Sequence, residues 1–231
     1  MVDNALLDIV LLSLQVALLA MIFAVPLAFI VAYILARHHF RGKALLQAFV
    51  MLPLVMPPVV TGYLLLSLFG KKGAIGQLLS TVGVELAFQW TGAALAAGVM
   101  AFPLLVRPMR LSIEAIDSGM EDAAKTLGAN WRTRFRTIIL PLSFPGVIAG
   151  AVLGFAKALG EFGATITFVS NIPGETQTLS LAIYSFLQSP TGDQAAFILI
   201  IISISIAVMS VLFSEYLAMR ISSKERDDAH R

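Results

Sequence analysis

The chain is predicted to be an all-α polytopic membrane protein with five transmembrane helices, and three observations predict it. Of its 231 residues 58% are hydrophobic and only 13% charged, against roughly 25% charged in soluble domains, and the mean hydropathy is +0.87. Five uncharged runs cover residues 9–36, 44–70, 86–106, 137–156 and 194–214, and about 20 apolar residues suffice to cross the hydrocarbon as a helix. The runs are continuous rather than alternating, which disfavours a barrel built of strands of about 10 residues.

The spans are placed at about 9–36, 44–69, 87–106, 143–165 and 195–217, in a single domain covering 1–231 with a cytoplasmic loop at 107–141. The first run is longer than the roughly 7–15 residues of a signal-peptide core and no basic stretch precedes it, so it is expected to remain as an uncleaved span. Residues 71–89, interrupted by Gly73, Gly76 and Gly83, suggest a short helix with turns. Residues 176–188 carry Leu179, Leu181, Ile183, Tyr184 and Leu187 at near-helical spacing. They are expected to lie at the interface or to dip part way in, because Glu175 and Asp193 leave too little uncharged chain for a sixth crossing.

Charge fixes the orientation. Arg37, Arg41 and Lys43 follow the first span, Arg107, Arg110, Lys125, Arg132, Arg134 and Arg136 the third, and Arg220, Lys224, Arg226 and Arg231 the fifth. Those are thirteen of the sixteen Lys and Arg, and with five spans all lie on one face. By the positive-inside rule the amino terminus is outside and the carboxyl terminus cytoplasmic.

The polar stretch from Arg107 to Pro141 is the least membrane-like part of the chain. Leu111, Ile113, Ile116, Met120, Ala123, Ala124 and Leu127 recur at helical spacing with Glu114, Asp117, Glu121 and Asp122 between them, which predicts one amphipathic helix. Gly128 stands where a helix ends, and Asn130 can cap a second helix through Trp131 and Phe135. The predicted product is a helix-turn-helix elbow whose small residues Ala123, Ala124 and Gly128 permit close approach by a partner surface. The alternative is a loop lying on the bilayer through its basic face.

Two features lie within the spans. Lys157 and Glu161 are four apart, so a helix puts them on one face as an ion pair near the outer leaflet. They serve either to keep each other from being buried alone or to border a vestibule of the transport path. Pro53, Pro57 and Pro58 interrupt the second run and Pro103 the third. With Thr61, Gly62 and Tyr63 after the prolines, and Gly154, Gly160, Gly163 and Thr165 in the fourth run, these two spans are the candidate pore lining and gate.

No catalytic apparatus is legible. Gly70-Lys-Lys-Gly73 lacks the spacing and hydroxyl of a phosphate loop. His38, His39 and His230 have no spaced ligand partners, so no metal site is expected. The absence of cysteine leaves the redox compartment open, and topology accounts for the net charge of +2 without a nucleic acid. Ser13, Thr61 and Ser203 are expected to bond within their own helix or to a neighbour.

Glu121-Asp122-Ala123-Ala124, followed by Gly128 and by Ile138-Ile139-Leu140-Pro141, resembles the EAA loop of the inner-membrane permease subunits of bacterial ABC importers. The segment Leu159-Gly-Glu-Phe-Gly-Ala-Thr through Asn171-Ile-Pro-Gly-Glu175 resembles more narrowly the molybdate permeases of that family, and sulfate permeases come next. Asp122 departs from the motif, replacing its first alanine by a charge. The resemblance implies the type I importer permease fold and an ATPase-docking elbow at 124–129. Its motif residues are Glu121, Ala123, Ala124, Lys125, Thr126, Leu127, Gly128, Ala129, Ile138, Leu140 and Pro141. From the prolines, the small and polar residues and the charge pair themselves, Pro57, Pro58, Thr61, Lys157, Glu161, Gly163 and Thr165 are the candidates to border the pathway. The resemblance further implies a homodimer in the bacterial inner membrane with two cytoplasmic ATPase subunits, which would bind the ATP and Mg²⁺, and an oxyanion-binding protein outside. A gradient-driven transporter is the reading from another class, and it requires a mid-membrane charge relay or paired half-repeats that the sequence lacks.

Overall fold

The computed structural model describes residues 2–229, with side chains at 5–213 and Tyr216; His230 and Arg231 lie outside the described residues. Its helices are α1 (Val2–Arg37), α2 (Lys43–Val55), α3 (Pro58–Phe69), α4 (Ala74–Ser80), α5 (Trp90–Glu114), α6 (Ser118–Thr126), α7 (Trp131–Arg134), α8 (Leu140–Leu159), α9 (Gly163–Val169), α10 (Leu179–Leu187) and α11 (Asp193–Ala229). A π-helical turn, Phe135–Ile139, joins α7 to α8. No strand occurs among the described residues.

Rows of small residues decide how the helices meet. Lipid tails are as apolar as leucine, so helices in a bilayer associate by close backbone approach and van der Waals contact rather than by hydrophobic burial. On α8, Gly146, Gly150 and Gly154 recur every four residues and face α5: a Cβ at Gly146 would lie 2.3 Å from Ser112 Cβ, and at Gly154 2.5 Å from Leu105 Cδ2. On α1 the buried row is Ala20, Ala24, Ala28 and Ala32, and on α5 it is Ala93, Ala97 and Ala101. Consequently α5 is the hub, packed between α1 and α8.

Helix directions follow from named contacts. Arg37 Nη2, at the end of α1, lies 2.6 Å from Glu121 Oε1 and donates to the Ile116 carbonyl just beyond α5. The carboxyl ends of α1 and α5 therefore share one end of the bundle, and α8 runs antiparallel to α5. Because α1 and α5 are parallel, the chain between them must return the length of the bundle. It does so through α2 and α3, which are bent by 113° at their junction.

Four expectations are corrected here. The second run is not one helix. Met56 precedes Pro57, whose ring disfavours helical geometry at the preceding residue, and Met56 is extended at ψ 149°; Pro57, itself before Pro58, has ψ 132°. The third span starts later and extends further, as α5 from Trp90 to Glu114, and Pro103 does not interrupt it; dense packing on both sides holds the helix through the missing bond. The fourth span of 143–165 instead begins at Trp131, breaks at Gly160–Phe162 and resumes as α9. The amphipathic helix expected over 111–127 is two helices, because the Asp117 side chain accepts from Gly119 N at 2.8 Å and caps α6 afresh.

α4 is the short helix expected in 71–89. In 176–188, α10 has nine residues, about 13.5 Å at 1.5 Å per residue and too short to cross. Ser13 Oγ donates to the Ile9 carbonyl in its own helix and accepts from Leu179 N at 2.7 Å. One hydroxyl thereby ties the first turn of α10 to α1.

Candidate coupling elbow and membrane pathway

α6 ends as its sequence requires. Gly128, with φ +84°, takes the left-handed position after the helix. Its amide bonds the Lys125 carbonyl at 3.0 Å, and Ala129 N reaches the Ala124 carbonyl at 2.9 Å. This pair of reversed bonds satisfies the last carbonyls of the helix and turns the chain sharply. Thr126 Oγ1 donates to the Asp122 and Ala123 carbonyls at 2.9 and 2.8 Å. Asn130 then opens α7, its Oδ1 accepting from Thr133 N at 2.9 Å and Thr133 Oγ1 at 3.0 Å. The turn pushes Leu127 outward to 88% exposure. Nothing lies within 4 Å of a Cβ built at Gly128, so the turn is open within this chain.

Three contacts hold the elbow against the bundle. Glu121 is half-buried beside Arg37. Trp131 stacks on Phe135 with ring centres 5.3 Å apart, while Phe29 and Tyr33 of α1 meet Phe135 edge-on at 6.0 and 5.9 Å. Trp131 Nε1 also donates to Tyr33 Oη at 3.2 Å. Edge-on and offset aromatic pairs add about 0.5–1.5 kcal/mol each beyond area burial. α7 is thus clamped to the carboxyl end of α1, and from there the backbone runs without a break into α8.

The widened turn between them has a cause at Pro141, which lacks an amide for the Thr137 carbonyl and whose ring crowds it. The ladder shifts one residue there, and Leu140 N bonds the Phe135 carbonyl. Such bulges recur at functional sites. Ile138 is half-buried and Leu140 and Pro141 are exposed, whereas Ile139, outside the predicted set, is fully buried.

The predicted pathway residues are also brought together in part. α3 and α9, the pieces of the two broken spans farther from the elbow, pack on each other: a Cβ on Gly62 would lie 2.5 Å from the Ala164 carbonyl, and one on Gly163 2.7 Å from Pro58 Cβ. Thr61 and Thr165 are buried, and Thr61 Oγ1 has no hydrogen-bond partner. Glu161 bridges the break in the fourth span. Its Oε2 meets Lys157 Nζ at 2.5 Å, and its Oε1 accepts from Ala164 N at 3.0 Å, closing the first turn of α9. The expected pair exists, but across the break rather than along one helix.

Glu161→Ala removes both roles and leaves Lys157, only partly exposed, without its counter-ion. It is expected to destabilise the protein by about 3 kcal/mol, since stripping one partner from a buried pair leaves an uncompensated charge. Thermal unfolding in detergent checks this. An unchanged midpoint would mean that the pair carries no structural load.

Sequence reasoning missed Arg37 and Tyr33. They meet Glu121 and Trp131 across 84 and 98 residues, and no local spacing signals such contacts.

An all-helical bundle with an amphipathic elbow at one end and two broken, close-packed spans above it defines an integral-membrane transport subunit. The chain belongs to the family of binding-protein-dependent transport system inner membrane components, which matches residues 24–223. It is 56% identical over 211 residues to the molybdenum transport system permease protein ModB of Escherichia coli K12, covering 90% of this chain and 92% of that one. It is 54% identical over 215 residues to ModB of Haemophilus influenzae, covering 92% and 93%. The sulfate transport system permease CysT of Salmonella typhimurium is 38% identical over 176 residues, covering 76% and 64%. Among solved structures, a bacterial ABC transporter importing the polysaccharide alginate superposes with TM-score 0.73 at 19% identity, over 93% of this chain and 79% of that one. The fold is that of the type I ABC importer permeases.

Proposed function

We propose that this chain is the permease subunit of a molybdate importer, with tungstate as a near-isosteric second cargo, working as a homodimer in the bacterial inner membrane. The observation that carries the cargo is the 56% identity to a molybdenum permease over nearly the full length of both chains, against 38% to a sulfate permease over a shorter stretch. The chain crosses five times, counting α2 with α3 and α8 with α9 as one crossing each. The amino terminus lies outside, and the cationic end bearing the elbow is cytoplasmic.

Two copies of an ATPase subunit dock on the two elbows, each held by Ala124–Ala129 and the protruding Leu127, and ATP and Mg²⁺ belong to those subunits. An oxyanion-binding protein delivers cargo at the outer face. Closure of the ATPases displaces α6 and α7. The clamp of Trp131 and Phe135 on Tyr33 and the unbroken backbone into α8 carry that displacement into the membrane. There the Gly62–Ala164 and Pro58–Gly163 contacts couple the two broken spans, so both pieces move together. Lys157 offsets the Glu161 carboxylate, which would otherwise repel an anion passing the break.

Uptake of labelled molybdate, sulfate and phosphate by cells lacking the chain tests the assignment. Molybdate uptake is expected to fall and sulfate and phosphate uptake to stay unchanged. A selective loss of sulfate uptake would move the chain to the sulfate branch. Normal uptake of all three would reject an oxyanion importer.

A further inference from the structure

A cavity of about 420 Å³ opens between the ends of α1, α2 and α5 nearest the elbow. That volume lies in the range of about 300–1,000 Å³ used by small-molecule sites. Its walls divide by chemistry. Leu35 of α1 and Met51 of α2 supply apolar surface, Gln47, Arg107 and Arg110 supply hydrogen-bond donors, and the Glu114 carboxylate lines the cavity too. Arg110 Nε is committed to Glu114 Oε1 at 2.7 Å. Arg107 has no carboxylate within ion-pair distance among the described residues, so the cavity keeps one uncompensated positive charge.

Its depth decides between ligands. Arg107 lies seven residues before the end of α5, roughly 10 Å inside that end at 1.5 Å per residue, and it is the first charge after the uncharged run 86–106, so it marks the border of the apolar segment. Leu111, which lines the cavity, is 59% exposed, so part of its wall is an apolar surface open at the side of the bundle. A free hydrated oxyanion has no use for that surface, whereas the upper part of an acyl chain does. Lys43, one turn before Gln47 on the same face of α2, is a further cation on that side. Basic pockets between helices on the cytoplasmic side are suited to acidic lipid headgroups.

We propose that this cavity binds the phosphate headgroup of an acidic phospholipid of the cytoplasmic leaflet, with Arg107 as its charge partner and Gln47 and Arg110 as further donors. Lipid seated there wedges between α2 and the α1–α5 core, and therefore bears on the bend at Met56–Pro57.

The leaflet assignment rests on the orientation proposed above, which reporter fusions after Arg220 test separately. Periplasmic activity there would move the site to the outer leaflet without touching the lipid contact itself. The contact is tested by native mass spectrometry of the full-length protein after delipidation and titration with phosphatidylglycerol or phosphatidylcholine. Wild type is expected to retain phosphatidylglycerol over phosphatidylcholine. Arg107→Gln is expected to weaken that retention about fivefold, the effect of one cation near an anionic headgroup, and Arg107→Lys to restore most of it. Equal retention of the two lipids by wild type, a measurement that needs no variant, would overturn the proposal. So would unchanged retention in Arg107→Gln, or displacement of the lipid by millimolar molybdate, which would make the cavity a site for free oxyanion.

Discussion

Gly128→Asp is expected to abolish molybdate uptake while the protein remains inserted at normal levels. The backbone at Gly128 is left-handed, with φ +84°, but the space around it is empty. Aspartate is among the few non-glycine residues that visit this conformation, so the folding cost is about 1 kcal/mol. The damage falls on the partner side. The new carboxylate stands beside Leu127, at the tip of the elbow, and would be carried into whatever surface that tip enters. An unpaired charge buried at an interface costs 2 kcal/mol or more, at least about a 30-fold loss of docking affinity. Gly128→Asn makes the comparison clean, since it keeps the left-handed tolerance without the charge, and it is expected to transport. Uptake of labelled molybdate beside immunoblots of membranes checks both variants. Normal uptake by Gly128→Asp would remove the elbow from the coupling path.

Gly62→Val is expected to be the most damaging substitution within the membrane. A Cβ at Gly62 lies 2.5 Å from the Ala164 carbonyl and 2.8 Å from Thr167 Cβ, and the first of these is backbone, which cannot rotate away. Replacing glycine inside a helix gains up to about 1 kcal/mol of propensity, but overpacking costs about 1–3 kcal/mol and a main-chain clash belongs at the upper end. α3 and α9 must separate, uncoupling the two broken spans. Gly160→Ala is the matched control: its Cβ would approach only the Ala156 carbonyl, at an ordinary 3.6 Å. The valine variant is expected to unfold at lower temperature and to lose more than about tenfold in uptake, while the alanine variant behaves nearly as wild type. Equal behaviour of the two would show that the α3–α9 contact is not needed.

The elbow was legible because its ends are local chemistry. Gly128 and Asn130 announce a stop and a start whatever surrounds them, and both do what their residue types predict. The Lys157–Glu161 pair was legible from its spacing, although the break at Gly160 lies between the two. That break was hidden because Gly160-Glu161-Phe162 interrupts an apolar run with no proline, and the helix yields there to a carboxylate that bonds on both sides. In the second run the two adjacent prolines were visible, but the size of the bend was not. Pro103 gave the opposite lesson. Helix α5 passes through it because α1 and α8 enclose the helix, and a composition window carries no record of neighbours. Arg37 with Glu121, Tyr33 with Trp131 and Ser13 with Leu179 all join residues more than 80 apart, so they emerge only once the helices are assembled.

The central claim, that the tip of the elbow docks on a separate ATPase subunit, is tested most directly at Leu127. The chain has no cysteine, so Leu127→Cys introduces a unique thiol at the most exposed large apolar position among the described residues. Short-arm crosslinking in native membranes is predicted to join it to an ATP-binding subunit that co-purifies with the chain. A thiol that reacts freely with soluble reagents and never captures such a subunit would contradict the account.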